Sequence, residues 1–96
     1  MAQAKLIDAQ EMARLHPHTF FAPSQKELDA LKVGLFVKIG TDTAPGERFW
    51  AKVTEIHGNT VVGIVDNELI HTGLHGYACY DQIEFKKTNI YNIMEA

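Results

Sequence analysis

The sequence contains little that would cross-link the chain or hold it in a membrane. Cys79 is the single cysteine among 96 residues, so an internal disulfide is excluded. No stretch approaches the ~18 consecutive apolar residues of a membrane-spanning helix, and the N-terminal segment MAQAKLIDAQ lacks the apolar run of a signal peptide. We therefore expect a cytoplasmic protein without a membrane segment.

Blocks of like charge are also absent, so the sequence gives no sign of a charged, disordered tail. The net charge is −3, and residues 33–96 carry the whole acidic excess. A nonspecific nucleic-acid binder shows the opposite pattern, with lysine and arginine concentrated on its folded module. Nucleic acid is therefore not the expected partner.

The length and the apolar pattern predict one domain, 1–96, made of a helical arm (1–32) and a β module (33–96). Two pairs of residues in the arm have the spacing of capping boxes: Asp8 with Glu11, and Ser24 with Glu27. They predict one helix that ends near residue 16 and a second, shorter helix over about 25–31.

From residue 33 onward, apolar residues recur at every second position, which predicts strands. Five segments show this pattern: VGLFVKI, RFWAKVTEI, TVVGIV, QIEFKK and IYNIM. The first would direct Val33, Leu35, Val37 and Ile39 to one face. The 66–81 segment has no sustained period and is expected to be a long loop.

The second and third strands are expected to form a hairpin. Gly58 and Asn59 fit its two-residue turn, and that turn sets Lys52 opposite Val65. Gly63 interrupts the third strand, which predicts a bulge or a close approach of two backbones.

Five short strands and one long loop favour an α+β fold, a small five-stranded SH3-like β-barrel with the helical arm packed on it. Trp50 lies on the same strand face as Arg48 and Lys52, opposite Phe49 and Ala51. Apolar residues therefore occur on both faces of the hairpin, and the outward face needs a cover. The arm offers five apolar candidates for it: Leu15, Phe20, Phe21, Leu28 and Leu31.

Several segments resemble the YegJ-like bacterial family, whose members have no settled activity. The resemblance spans about residues 16–94 and rests on these positions: His16, Pro17, Thr19, Phe20, Gly34, Val37, Lys38, Glu47, Trp50, Gly63, Asn67, Asp81, Ile83 and Phe85. Two departures from the family pattern lie in the 66–81 segment, Glu68 after Asn67 and Tyr80 before Asp81. The resemblance implies a shared fold and no particular reaction.

The predicted function is that of a small, non-enzymatic binding or accessory module without a cofactor. Its partner would be a protein or a small molecule, held at the Trp50 face and the 66–81 loop. Trp50 would anchor the partner, and Asp66 and Asn67 would orient it or bond the indole N–H. The predicted binding residues are Glu47, Arg48, Trp50, Lys52, Asp66 and Asn67. The competing structural interpretation is that Trp50 packs beneath the arm.

Two alternatives stay open at this point. Lys38, Arg48 and Lys52 beside Trp50 could bind single-stranded nucleic acid by stacking and charge. Separately, His71, His75 and Cys79 are spaced four apart and could serve a metal- or thiol-dependent protein. Gly73 and Gly76 interrupt the helix that such a metal site would need.

Overall fold

Five antiparallel strands form one sheet in the order β4-β3-β2-β1-β5 in the computed structural model, which describes residues 3–94. The strands are β1 (Phe36–Gly40), β2 (Arg48–His57), β3 (Thr60–Val65), β4 (Gln82–Lys86) and β5 (Asn92–Met94). The helices are α1 (Ala9–Leu15), α2 (Gln25–Asp29) and α3 (Thr72–His75), and a 3-10 turn covers Lys87–Asn89. None of the described residues belongs to a helix with the length and apolar content that a membrane crossing requires.

Both helices predicted in the arm are present, and their first turns are capped as the sequence indicated. The Asp8 side chain accepts a hydrogen bond from the Glu11 N–H, 3.0 Å away. Ser24 and Glu27 form a complete capping box, with reciprocal bonds of 3.2 and 3.0 Å. In α1 the box is incomplete, because the Glu11 carboxylate pairs with Arg14.

The sheet is not closed into the expected barrel. β4 and β5 are its two edges, and β5 pairs only with Phe36–Lys38 of β1. Beyond Lys38, the same edge of β1 is paired with the N-terminal segment, since the Ile7 N–H donates to Gly40 O and Leu6 forms a β-bridge with Thr41. The chain thus forms an α+β domain around an open five-stranded sheet.

The hairpin turn at Gly58–Asn59 is confirmed, and so is the register next to it as far as Glu55, but farther along β2 the predicted register is wrong by one residue. His57 faces Thr60 as expected, whereas Lys52 faces Ile64 and not Val65. The shift lies between Val53 and Glu55, where a bulge leaves one extra residue on β2.

Gly63 lies directly across from this bulge. A Cβ at that position would come within 2.8 Å of the Lys52 carbonyl oxygen. The close approach that the sequence predicted is therefore present, because only a residue without a side chain fits there.

The first predicted strand begins later than its pattern indicated. Gly34 has a φ of +97°, which turns the chain, and Val33 before it is 62% exposed. Val37 and Ile39 are fully buried as expected, and Leu35 is half-buried against the core.

The main hydrophobic core lies on one face of the sheet, called the inner face. Val37, Phe49 and Ala51 alternate along the strands with Lys38, Arg48 and Trp50, which point to the opposite, outer face. Loops and the arm complete the core. Its buried side chains are Leu28, Leu31, Val37, Ile39, Phe49, Ala51, Val53, Val61, Val65, Tyr77, Ile83, Phe85 and Ile90.

The arm does not cover the outer face as predicted. Leu28 and Leu31 join the inner-face core, while Leu15 and Phe21 are 53% and 77% exposed. Phe20 reaches the outer side, where its ring packs on Tyr91. The arm is therefore divided between the two faces.

Candidate functional site

Trp50 lies at the centre of the outer face, here defined by Lys38, Arg48, Trp50 and Lys52. It stands directly opposite Lys38 across the β1–β2 ladder, and the Lys38 ammonium lies 5.5 Å from the centre of its ring. This distance permits a cation–π interaction. The side chain is half-buried, so part of the ring remains accessible.

The start of the 66–81 loop is bonded to the backbone of Trp50 and not to its indole. The Trp50 N–H donates to Asn67 Oδ1 over 2.7 Å, and the Asp66 N–H donates to the Trp50 carbonyl over 2.8 Å. The Asn67 amide group then donates to Glu68 O. These bonds extend the β2–β3 ladder by one step and fix the loop beside the outer face.

Glu47, just before β2, holds the middle of the same loop. Its Oε2 accepts from the Ile70 N–H at 2.7 Å, and its Oε1 accepts from the His71 N–H at 2.8 Å. A third bond, also 2.8 Å, joins Oε1 to His75 Nε2. The Glu47 backbone is set by Thr41, whose hydroxyl accepts from the Glu47 N–H.

His75 is fully buried, and its surroundings define its tautomer. Nδ1 accepts from the Tyr77 N–H at 3.1 Å, so the ring proton belongs on Nε2, where it is donated to Glu47. The neighbouring rings of Phe49 and Tyr77 lie 6.4 and 5.7 Å away, centre to centre. The hydrogen-bonded pair of His75 and Glu47 thus connects the core to the 66–81 loop.

The balance of burial and hydrogen bonding sets the charge of Glu47. Burial alone would raise the pKa of its carboxyl, but the bonds from His75, Ile70 and His71 outweigh it and leave the pKa below the ordinary value. Glu47 is therefore a stable carboxylate near neutral pH, with both oxygens occupied by protein donors.

A cleft of about 340 Å³ opens between the arm and one end of the outer face. We call it the aromatic cleft, and its lining consists of Thr19, Phe20, Phe21, Ala22, Pro23, Lys38, Arg48, Tyr91 and Asn92. The rings of Phe20 and Tyr91 are 4.8 Å apart, centre to centre. The Arg48 guanidinium lies 4.5 Å from the Tyr91 ring and 5.8 Å from the Phe20 ring.

Tyr91 is pressed against the sheet at Gly40. A Cβ on Gly40 would come within 3.0 Å of the Tyr91 ring, so the glycine makes room for it. The Tyr91 hydroxyl is buried and has no hydrogen-bond partner among residues 3–94. Such an unpaired group costs about 1–3 kcal/mol of desolvation.

The basic side chains of the outer face have no carboxylate partner in the part of the chain that the structure describes. The ion pairs within residues 3–94 are Arg14–Glu11, His57–Glu55 and His75–Glu47, none of which involves the outer face. Lys38, Arg48 and Lys52 therefore leave a local positive charge on a protein that is acidic overall.

The metal or thiol arrangement of His71, His75 and Cys79 is not formed in the described part of the chain. No group of three or more histidine, cysteine or acidic side chains there could hold a metal ion. Both ring nitrogens of His75 are already bonded to protein groups. Burial and the carboxylates of Glu68 and Asp66 raise the pKa of the Cys79 thiol, which opposes a reactive thiolate.

The structure divides the six predicted binding residues into two groups. Arg48, Trp50 and Lys52 share the outer face, and Asp66 is exposed at its border. Glu47 and Asn67 lie nearby, but their polar atoms hold the loop. Glu47 and Asn67 were predicted to contact a partner, but in the structure they bond to other residues of the protein and hold the loop in place.

Sequence reasoning did not assign Phe20, Phe21 and Tyr91 to a binding site. The adjacent phenylalanines in HTFFAP gave a signal, since two large rings in a polar, proline-flanked segment have no helical face to occupy. Tyr91 carried no comparable signal, because its place beside Arg48 depends on how β5 returns to β1.

Comparison of the chain with protein-family models, with curated proteins and with solved structures finds no match. The resemblance to the YegJ-like family therefore stays a prediction.

Proposed function

We propose that the protein is a small, non-enzymatic cytoplasmic binding module that recognises a protein or small-molecule partner through the outer face and the 66–81 loop. Trp50 is its anchor, Arg48, Lys52 and Asp66 lie around that anchor, and Glu47 and Asn67 hold the loop in position.

The observation that carries this proposal is the state of Trp50. Its backbone is bonded on the loop side through Asp66 and Asn67, yet its ring stays partly accessible beside Lys38, which has no carboxylate partner among residues 3–94. A large ring held on a rigid strand can contact a partner with little loss of side-chain freedom. The fixed loop adds a second wall with a defined shape.

We also propose that the chain is related to the YegJ-like family and that its fold is related to the SH3-like barrel. Two features support the relation to the barrel: β1 lies between β2 and β5, and a 3-10 turn precedes β5. That strand order would bring β4 and β5 together if the sheet curled further. The proposed fold is thus an open form of the barrel.

Single-stranded nucleic acid is the second candidate partner. It is favoured by one observation, that Lys38, Arg48 and Lys52 share a face with Trp50 and have no carboxylate partner among the described residues. Binding of an oligothymidine that weakens steeply with salt would support it. No binding at low salt would remove it.

The main test uses the fact that Trp50 is the single tryptophan of the sequence. Proteins captured from a bacterial lysate by the wild type and by Trp50→Ala are compared, with circular dichroism to check folding. Glu84→Gln on β4 is the matched control, because it changes an exposed residue at the far edge of the same sheet.

The captured partner is then titrated into the wild type while tryptophan emission is recorded. We expect the partner to shift that emission and to be lost with Trp50→Ala but not with Glu84→Gln. A folded Trp50→Ala variant that keeps every partner would remove the proposal.

A further inference from the structure

We propose that the aromatic cleft binds a small molecule with one anionic group, a carboxylate or a phosphate, carried on a flat ring. The inference rests on the proposed function, because Lys38 belongs to both the outer face and the cleft. A ligand held at the outer face would therefore also contact the cleft, and the lining of the cleft indicates which chemical groups that ligand carries.

The charge of the lining is the first argument. Lys38 and Arg48 contribute two positive charges, and no aspartate or glutamate among residues 3–94 lines the cleft. The net charge of the chain is −3, so the positive charge of the cleft is a local feature. An anion entering the cleft would be attracted by both cations.

Arg48 is held by contacts with two aromatic rings. Its guanidinium lies over the faces of Tyr91 and Phe20, at 4.5 and 5.8 Å from their ring centres. Cation–π contacts of this kind do not need an oxygen acceptor for the guanidinium N–H groups, so these groups remain available to a ligand. Among residues 3–94 the Arg48 guanidinium forms no ion pair with a carboxylate.

An arginine fixed in this manner is suited to a carboxylate or phosphate. The planar fork matches two oxygens of either group, and the contacts with the two rings favour one position of the side chain.

The walls argue for a flat ring on the ligand. Tyr91 is buried, with 9% of its surface exposed, whereas Phe20 is half-buried and Phe21 is 77% exposed. A ligand ring would cover the two phenylalanines and stack on them. The volume of about 340 Å³ lies at the small end of ligand pockets, which favours a compound of one ring or one nucleotide over a long polymer.

The test titrates two anionic probes, benzoate and adenosine monophosphate, into the labelled full-length chain and follows backbone amide signals by NMR. Benzamide and adenosine are the neutral counterparts, which keep the ring and lack the charge. Two anions are used because they separate a preference for carboxylate from one for phosphate.

At least one anion is expected to bind in the millimolar range or tighter and about tenfold better than its neutral counterpart. The signals that move should be those of Thr19 to Ala22, Arg48 and Asn92. Arg48→Gln should weaken binding about tenfold. Lys86→Gln removes the same charge from β4, at the other edge of the sheet, and should leave binding unchanged. If Arg48→Gln does not fold, Lys38→Gln replaces it.

Failure of this inference can be told apart from failure of the proposed function. No binding of either anion, equal binding of charged and neutral probes, or equal weakening by Arg48→Gln and Lys86→Gln overturns the cleft as an anion site. Binding that moves the Trp50 indole signal but none of the arm signals also overturns it, while leaving the Trp50 anchor intact. Binding of an oligonucleotide without binding of either small anion would likewise overturn it.

Discussion

Glu47 and His75 are joined by a 2.8 Å hydrogen bond although they are 28 residues apart in the chain. The same carboxylate binds the N–H groups of Ile70 and His71. One side chain just before β2 therefore holds the middle of the 66–81 loop, which forms one wall of the proposed binding face.

Glu47→Gln is expected to loosen this loop. An amide group must then face N–H donors that the carboxylate accepted from, so the free energy of unfolding should fall by about 2 kcal/mol. Urea denaturation measures the loss, and hydrogen exchange at residues 70–76 should speed up. Glu55→Gln is the control, because Glu55 is exposed and its pair with His57 should contribute less than about 1 kcal/mol. Equal effects of the two variants would contradict a structural role for Glu47.

Acid should remove the contribution of the Glu47 carboxylate to the free energy of unfolding. Its pKa in the folded protein lies below the ordinary value of 4.5, so its contribution to stability is complete above that pH. As the pH falls below 4.5, the unfolded chain takes up the proton first, and the contribution shrinks until the pH passes the folded pKa. The stability difference between the wild type and Glu47→Gln, measured by urea denaturation from neutral to acidic pH, should therefore narrow. A difference that stays constant would show that the charge contributes nothing.

Gly63→Ala should destabilise the protein by about 2 kcal/mol, since the new methyl group would clash with backbone across the bulge. The nearest atom, the Lys52 carbonyl oxygen, would be 2.8 Å from the added Cβ. Gly73→Ala is the matched control. Nothing lies within 4 Å of its Cβ position, and Gly73 is in α3, so alanine there should be neutral or stabilising by up to about 1 kcal/mol. Thermal denaturation compares the two, and a stable Gly63→Ala would argue against the bulged register.

Removing the hydroxyl of Tyr77 and removing that of Tyr91 should have different effects on the free energy of unfolding. Tyr77 donates to the Ala4 carbonyl over 2.7 Å, so Tyr77→Phe should cost about 1 kcal/mol. Tyr91→Phe removes a buried hydroxyl without a partner among the described residues and should leave stability unchanged or raise it by up to about 1 kcal/mol. Urea denaturation of both variants provides the measurement. A clear loss with Tyr91→Phe would mean that its hydroxyl has a partner in solution.

Cys79 should react slowly with a thiol reagent in the folded protein. Burial and two nearby carboxylates raise its pKa, so less thiolate is present than in the unfolded chain at the same pH. The rate of labelling at mildly alkaline pH, with and without denaturant, checks this directly. Faster labelling of the folded protein would bring back the thiol-dependent alternative.

The parts of the fold that were predicted correctly depend on contacts between near neighbours in the chain. Asp8 and Ser24 begin helices because their side chains bond N–H groups three residues away. The hairpin at Gly58–Asn59 depends on the residues of its own turn. Such local chemistry can be seen in a short stretch of sequence.

The incorrect predictions concern features that depend on contacts between segments far apart in the chain. The bulge on β2 shifts the register because Gly63 and Lys52 meet across the sheet, which the turn cannot determine. The arm was expected to cover the outward face of the hairpin, but its Leu28 and Leu31 pack in the core on the inner face. Among residues 3–94 the sheet is open, and the N-terminal segment bonds to Gly40, Thr41 and Asp42 beside β1, a contact that the sequence did not indicate.

The sequence by itself determined the helix starts, the alternation of the strands and the tight hairpin, and it drew attention to Trp50 with its basic neighbours. Only the tertiary structure decided that Glu47 and His75 fix the 66–81 loop, and that Arg48 lies over Tyr91 and Phe20 beside a cleft. The physical reason is distance along the chain. Backbone preferences and caps act over a few residues, whereas side chains 28 or more residues apart meet only once the whole sheet is assembled.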